Sequence, residues 1–117
     1  MSTDISNLRE IKGFIGACLV DSDTGMMLSS EGGNEDFDLD IAAAANTEVV
    51  KAKLEAMVAL DLDDTIEDIL ITMGNQFHLI RLLEANPAVF IYVALSKKSN
   101  LGMARIQVKK VEKTLSV

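Results

Sequence analysis

The fold of this chain is decided by residues 66–83, whose sequence is IEDILITMGNQFHLIRLL. Two apolar runs flank Gly74-Asn75, a pair that adopts positive φ at little cost, and this pattern predicts a β-hairpin with a two-residue turn. Such a turn places Met73 opposite Gln76 and, counting outward, Asp68 opposite Arg81. Because side chains alternate along a strand, this register assigns each residue between them to one face of the sheet.

Both faces of the predicted hairpin are apolar. In an antiparallel sheet with one solvated face, apolar and polar residues would alternate instead. We therefore expect cover on both sides, from helices above and below the sheet or partly from a second copy of the molecule. One face carries Ile69, Ile71, Met73, His78, Ile80 and Leu82, and the other carries Leu70, Thr72, Phe77 and Leu79.

The composition predicts a single domain spanning residues 1–117. Hydrophobic residues make up 49% of the chain and it holds one proline, while a chain of this length buries roughly two-thirds of its unfolded surface. One cysteine cannot form an internal disulfide, the N-terminus lacks the apolar core of a secretion signal, and no apolar run approaches the roughly 20 residues of a membrane span. We expect a cytoplasmic protein that does not bind membranes.

Charge is distributed unevenly along the chain. The net charge is −7, yet residues 97–117 are basic and the residues before them are strongly acidic. An acidic chain argues against general nucleic-acid binding, since phosphate contacts supply most of that affinity. The basic segment leaves open a nucleic-acid or acidic-partner binder, although a solvated helix face is the simpler interpretation. Its bases are Lys97, Lys98, Arg105, Lys109, Lys110 and Lys113.

The chain before the long helix predicts one helix and two strands. A short α-helix is expected to be capped by Thr3 or Asp4, to carry apolar residues about three positions apart, and to end at Gly13. Strands follow at residues 14–20 and 26–29, separated by the turn sequence DSDTG. The polar residues 31–38 are expected to form a loop.

Residues 39–60 predict a long helix with two apolar stripes. The stripe of larger residues suits contact with the sheet. The alanine-rich stripe either lets a second helix approach closely or reflects only high helix propensity on a wide buried face. The first stripe is Leu39, Ala43, Val50, Leu54 and Met57, and the alanine-rich stripe is Ile41, Ala45, Val49, Ala52, Ala56 and Ala59.

Two elements complete the chain after the hairpin. Residues 88–95 form an uncharged apolar strand, which is typical of the centre of a sheet. A final helix begins at Ser99 or Asn100 and keeps an apolar face at spacings of three and four residues. The predicted order of elements is therefore α-β-β-α-β-β-β-α.

Catalytic chemistry has few candidate residues in this sequence. Cys18 lies in an apolar strand and His78 lies among isoleucines, so a buried structural thiol and a core or interface histidine are favoured over a catalytic pair. A lone histidine provides no metal cluster, and Gly13 and Gly16 lack the residues that complete a phosphate-binding loop. We expect a protein that is not an enzyme and has no cofactor.

Two stretches carry a resemblance to a known family. GFIGACLVDSDTGMML (13–28), a long alanine-rich helix, and FHLIRLLEANPAVFIYVALSKKSNLGMARIQVKKVEKTL (77–115) together resemble the Roadblock/LC7 family in its bacterial, MglB-like form. The resemblance implies a profilin-like, three-layer α/β/α sandwich with a five-stranded antiparallel sheet. The long helix would cover one face and the two terminal helices the other.

The resemblance also implies partners. It predicts a homodimer, or a heterodimer with a related chain, in which the strand at 66–73 pairs with its counterpart and the long helices pack together. The resulting scaffold would bind a Ras-like small GTPase. The expected dimer-interface residues are Ala45, Val49, Ala52, Ala56, Ile66, Ile69, Ile71 and Met73, and the charged residues left facing a GTPase are Glu48, Lys51 and Glu55.

Two other functions stay open at this point. A small-ligand sensor would use an apolar pocket with a few convergent polar groups between sheet and helices. A nucleic-acid or acidic-partner binder would use the basic C-terminal segment and would bind with a steep dependence on salt.

Overall fold

Five antiparallel strands form a single sheet in the computed structural model, which describes residues 2–117. The strands are β1 (Phe14–Asp21), β2 (Met26–Gly32), β3 (Asp68–Thr72), β4 (Gln76–Leu82) and β5 (Val89–Ser96), in the spatial order β2-β1-β5-β4-β3. The chain also contains two α-helices, α1 (Leu39–Ala59) and α2 (Leu101–Thr114), and a 3₁₀ helix (Ser6–Glu10). The predicted α+β class is confirmed.

The hairpin of β3 and β4 has the predicted register. Asp68 lies opposite Arg81 and Thr72 opposite Phe77, and Met73 N–H donates to the Gln76 carbonyl at 2.9 Å. The predicted turn conformation is wrong, because neither Gly74 nor Asn75 has positive φ. A Cβ atom added at Gly74 would meet no atom within 4 Å. The register is correct because it depends on the number of turn residues.

The first helical segment is a 3₁₀ helix, not the predicted α-helix. Leu8 in this helix and the flanking residues Ile5 and Ile11 are spaced by three, and three residues per turn align that spacing on one side. Leu8 N–H donates to the Ile5 carbonyl and Ile11 N–H to the Leu8 carbonyl. Ile5 occupies the cap position without a side-chain hydrogen bond, but the Asp4 carboxylate, one of the two predicted caps, accepts a hydrogen bond from Ser6 N–H at 2.9 Å.

Strand β2 is longer than predicted and includes the start of the predicted loop. Glu31 pairs with Ala17 and Gly32 with Gly16, so the partner strand β1 extends β2 beyond its apolar residues. A bulge between Leu19 and Val20 interrupts this ladder. The local polarity of residues 30–32 concealed the pairing, because an edge strand can expose polar side chains without losing its backbone hydrogen bonds.

Both α-helices begin at side-chain caps. The Asp38 carboxylate accepts hydrogen bonds from the backbone N–H groups of Asp40 and Ile41 at the start of α1. Asn100, one of the two predicted caps of α2, accepts from Met103 N–H at 3.1 Å. No helix within residues 2–117 combines the length and apolar character needed to cross a membrane.

The core consists of two layers, one on each face of the sheet. One layer lies between the sheet and the pair formed by the 3₁₀ helix and α2, and the other lies under α1, so the predicted three-layer sandwich is confirmed. Strand β5 is the central strand and every residue of it except Ser96 is buried, as its uncharged sequence predicted. The first layer is built around Leu8, Leu19, Leu79, Ile91, Val93 and Val108, and the second around Cys18, Val20, Val50, Ile80, Phe90 and Tyr92.

Candidate functional site

Helix α1 is only half covered by its own chain. Its buried residues are Leu39, Ala43, Thr47 and Val50, and none of the described residues 51–59 is buried. Val58 is 82% exposed, and the apolar residues Leu60 and Leu62 just beyond the helix are also exposed. The second half of a helix with this apolar content therefore lies uncovered.

The two predicted stripes of α1 face in opposite directions. The larger residues Leu39 and Val50 are buried in the core layer beneath the helix, while Ala45, Val49 and Ala52 are exposed and Ala56 is half-buried. The alanine-rich stripe is therefore not part of a wide face buried within the chain. Small side chains on the outer side of a helix leave room for close approach of another backbone.

Strand β3 forms one edge of the sheet beside this helix. Its side chains are half-buried from Asp68 to Ile71, and its outer backbone groups have no neighbouring strand in the sheet. Ile66 and Ile69 pack against the core layer under α1. Met73, just after the strand, is exposed. Such an apolar edge is a template for pairing with another strand.

A groove of about 640 Å³ joins the helix to this edge. Val49 and Lys53 of α1 form one wall, and residues 64–69 form the other. The groove brings together the predicted interface residues Val49, Ile66 and Ile69. The predicted partner-binding residues Glu48, Lys51 and Glu55 are exposed on α1 but do not line it.

A second, smaller cavity of about 280 Å³ lies at the end of the sheet. It has apolar walls from α1, from the segment before β3 and from the turn between β4 and β5, with charged groups around them. This volume is slightly below the usual range for small-molecule sites. Its apolar residues are Leu54, Met57, Ile66, Leu82 and Pro87, and its charged residues are Asp64, Glu67, Arg81 and Glu84.

Cys18 lies in the core layer under α1, and His78 is half-buried beside Phe37 and Tyr92. Cys18 is fully buried and desolvation raises the pKa of its thiol to about 12, so the thiol is protonated at neutral pH. His78 Nε2 lies 2.8 Å from Gln76 Oε1 and Nδ1 lies 3.1 Å from the Tyr92 hydroxyl oxygen, and burial lowers the pKa of its ring. A neutral imidazole satisfies both contacts, one nitrogen donating to Gln76 and the other accepting from Tyr92.

Two ion pairs attach α2 to the hairpin, and the sequence did not predict them. Arg81 of β4 binds Glu112, with both side chains almost buried, and Arg105 makes a bidentate contact with Asp68 at 3.0 and 3.2 Å. The predicted register places Asp68 opposite Arg81, and these two facing charges were the feature of the sequence that pointed to ion pairs here. Both side chains instead turn to charged partners on the helix above them.

Metal ligands do not cluster in this part of the molecule. Within residues 2–117, no three histidine, cysteine, aspartate or glutamate side chains come together as a candidate metal site.

The three-layer sandwich is shared with several solved structures. MglB from Myxococcus xanthus matches with a TM-score of 0.80 and 18% identity, over 92% of this chain and 78% of that chain. A Roadblock/LC7 domain from Streptomyces avermitilis matches with a TM-score of 0.80 and 13% identity, over 92% of this chain and 87% of that chain. The chain has the Roadblock/LC7 fold.

A third match supports the MglB-like form of the Roadblock/LC7 fold. The gliding protein MglB from Thermus thermophilus has a TM-score of 0.75 and 15% identity, over 92% of this chain and 78% of that chain. No protein-family model and no curated protein matches the sequence. The predicted resemblance is thus confirmed for the fold. The exposed half of α1 and the edge strand β3 are observed in this chain itself.

Proposed function

We propose that the protein is a homodimeric regulator that binds a Ras-like small GTPase and has no catalytic activity of its own. The observation that carries the proposal is the uncovered half of α1 beside the unpaired edge strand β3, on a Roadblock/LC7 fold. The bacterial family that the sequence resembles acts with Ras-like GTPases, which supports the class of partner. Two structural neighbours are MglB proteins, one described as a gliding protein, and they support a regulatory, protein-binding role.

The dimer is supported by complementary features of the helix and the strand. A twofold axis beside β3 would pair this strand with its counterpart and continue the sheet across two molecules. The same axis would bring the outer stripes of two α1 helices together, and the small residues Ala45 and Ala52 permit close contact. Burying an exposed Val, Leu or Met side chain contributes roughly 1.5–3 kcal/mol, so covering the uncovered half of α1 would be strongly favourable.

The GTPase would dock on the outer surface of the paired helices. Glu48, Lys51 and Glu55 are exposed and lie beside the alanine-rich stripe, where they would surround a contact made across the twofold axis. A single GTPase bound across that axis touches two identical helices unequally and excludes a second copy. We therefore expect one GTPase for each dimer.

Titration calorimetry tests this proposal. The protein is titrated with Ras-like GTPases from the same organism, each loaded with GDP or with a GTP analogue, after light scattering has established the mass of the free protein. We expect a dimer that binds one GTPase, with affinity weakened roughly tenfold by Lys51→Glu because this substitution reverses a charge in the contact. Lys109→Glu on α2 is the matched control and should leave the affinity unchanged.

The cavity at the end of the sheet supports a second candidate function, that of a small-ligand sensor. Its apolar walls and the nearby Arg81 guanidinium resemble the combination that small-molecule sites use. Native mass spectrometry of the purified protein distinguishes the two functions. A bound small molecule, together with no binding of any GTPase in either nucleotide state, would replace the regulator proposal with the sensor.

A further inference from the structure

The solvent side of α2 has apolar residues at its centre. Ala104, Val108 and Val111 of the helix are buried against the sheet, as its spacing predicted. On the opposite side, Met103 is 63% exposed and Ile106 is 50% exposed, and their spacing of three places them next to each other. A helix face that only meets solvent carries polar residues there.

The unpaired charged residues of α2 around these two apolar residues are all positive. Lys109, Lys110 and Lys113 are exposed, and none of the three forms an ion pair with any residue from 2 to 117. The other charged residues of the helix, Arg105 and Glu112, point toward the hairpin and are paired there. This arrangement differs from an ordinary solvated helix face, which intersperses charges of both signs.

A groove extends this surface beyond the N-terminus of α2. It has a volume of about 380 Å³ and is lined by Met103 together with Lys12 and Lys98. Glu10 also lines the groove and its carboxylate accepts a hydrogen bond from the Gln107 amide at 3.0 Å, so one negative charge lies beside these two lysines. We use the name α2 outer face for this groove together with Met103, Ile106, Lys109, Lys110 and Lys113.

We propose that the α2 outer face binds an acidic, amphipathic segment of a partner protein. Its charge is complementary to acidic side chains, and Met103 and Ile106 provide apolar contacts for leucine-like side chains between those acids. Exposed acids that lie farther from this face than the screening length of roughly 8 Å at physiological ionic strength contribute little to its potential.

The two exposed apolar residues favour a protein partner over a nucleic acid or an anionic membrane. Binding to a nucleic-acid backbone depends on cations, and apolar residues at the centre of the face would not contact phosphates favourably. Insertion into an anionic membrane requires an extended apolar helix face, whereas α2 exposes two large apolar residues and packs its remaining ones on the sheet. An amphipathic protein segment uses both features of the face.

The α2 outer face lies on the opposite side of the sheet from α1. It is therefore separate from the surface that we assign to the GTPase, and both partners could bind at once. The inference does not depend on the proposed function, since it uses neither the dimer nor a GTPase.

Fluorescence anisotropy with labelled synthetic peptides tests the inference. The probe is a helical peptide with leucine along one face and glutamate elsewhere, and two comparison peptides replace the leucines by serine or the glutamates by lysine. We expect only the first peptide to bind, and to bind more weakly as salt is raised. Ile106→Glu and Lys110→Glu should each weaken binding roughly tenfold, as expected for residues at the centre of a contact.

Matched variants on α1 make the test specific. Val58→Glu and Lys53→Glu change an exposed apolar residue and an exposed lysine on the other side of the sheet, and the peptide should bind both variants with unchanged affinity. Circular dichroism establishes that each variant is folded, and Lys110→Glu alone decides the test if Ile106→Glu unfolds the protein. The inference is overturned if the peptide does not bind or if the α2 variants bind it normally.

Three further outcomes would also overturn it. A single-stranded oligonucleotide that competes the peptide off and binds more tightly would assign the face to nucleic acid. Preferred binding to vesicles containing phosphatidylserine would assign it to a membrane. Self-association of the protein that disappears in Ile106→Glu would assign it to a contact between copies of this chain.

Discussion

Asp61 ends α1 in a backbone conformation that favours glycine. Its φ of +56° is in the left-handed region, and Leu62 N–H donates to the Met57 carbonyl at 3.0 Å, as in a Schellman motif. Asp61→Gly removes the steric cost of a Cβ in this conformation and should raise the free energy of unfolding by about 0.5–1 kcal/mol. Urea denaturation measures the change. Asp63→Gly, at an exposed position without positive φ, should give no stabilisation.

His78 makes stability depend on pH. Burial lowers the pKa of its ring in the folded protein, so the unfolded chain binds a proton more readily. The contribution to stability is complete above the unfolded pKa of about 6.5 and is lost as the pH falls through the lower folded value. We expect the urea midpoint to fall between pH 7.5 and pH 5, and to fall less in His78→Gln. An equal fall in both proteins would assign the pH dependence to other groups.

At the scale of single elements, one charged substitution tests whether the alanine-rich stripe of α1 forms a dimer interface. Ala52→Glu places a carboxylate in the middle of the stripe. In the proposed dimer this charge is buried without a partner, which costs several kcal/mol and should convert the dimer to monomer in light scattering. Ala44→Glu, also exposed on α1 but outside the stripe, is the control. Ala52→Glu without effect on mass or melting temperature would contradict the proposed interface.

The elements themselves were predictable where local rules decide them. Turn length and alternation set the register of β3 and β4, and two stripes of different size predicted that α1 faces two directions. The first helix was assigned the wrong type because a spacing of three over so few residues is compatible with both an α-helix and a 3₁₀ helix. Element ends also shifted where pairing with a neighbour, as for β2 with β1, outweighed local polarity.

The candidate surfaces were predictable only in part. Val49, Ile66 and Ile69 were assigned to one interface from the stripe and the resemblance, and they do line a common groove. Met103 and Ile106 were missed because the apolar spacing of α2 is fully explained by its buried side, which leaves no sequence signal for extra apolar residues on the other side. The partners of Arg81 and Arg105 depend on the angle and position at which α2 packs on the sheet. The pattern of apolar and polar residues within each element does not determine that packing.

At the scale of the whole molecule, the sandwich separates its two candidate surfaces. The surface assigned to the dimer and GTPase lies on the α1 side and at the β3 edge, whereas the α2 outer face lies behind the sheet. Variants on one side should therefore not alter binding on the other, because sites without shared contacts usually contribute additively. The five-stranded sheet, with β5 at its centre, separates the two core layers.

The central position of β5 affects how the chain folds. Its partner β1 lies near the other end of the chain, and Asp21 pairs with Val89 and Phe14 with Leu95, roughly 70 to 80 positions apart. Such pairings raise contact order, and proteins dominated by them fold slowly. On the ribosome, β1 can pair with its central neighbour only after residues 89–96 have been made. Until then one edge of the β1–β2 hairpin has no partner strand, which leaves the nascent chain vulnerable to aggregation.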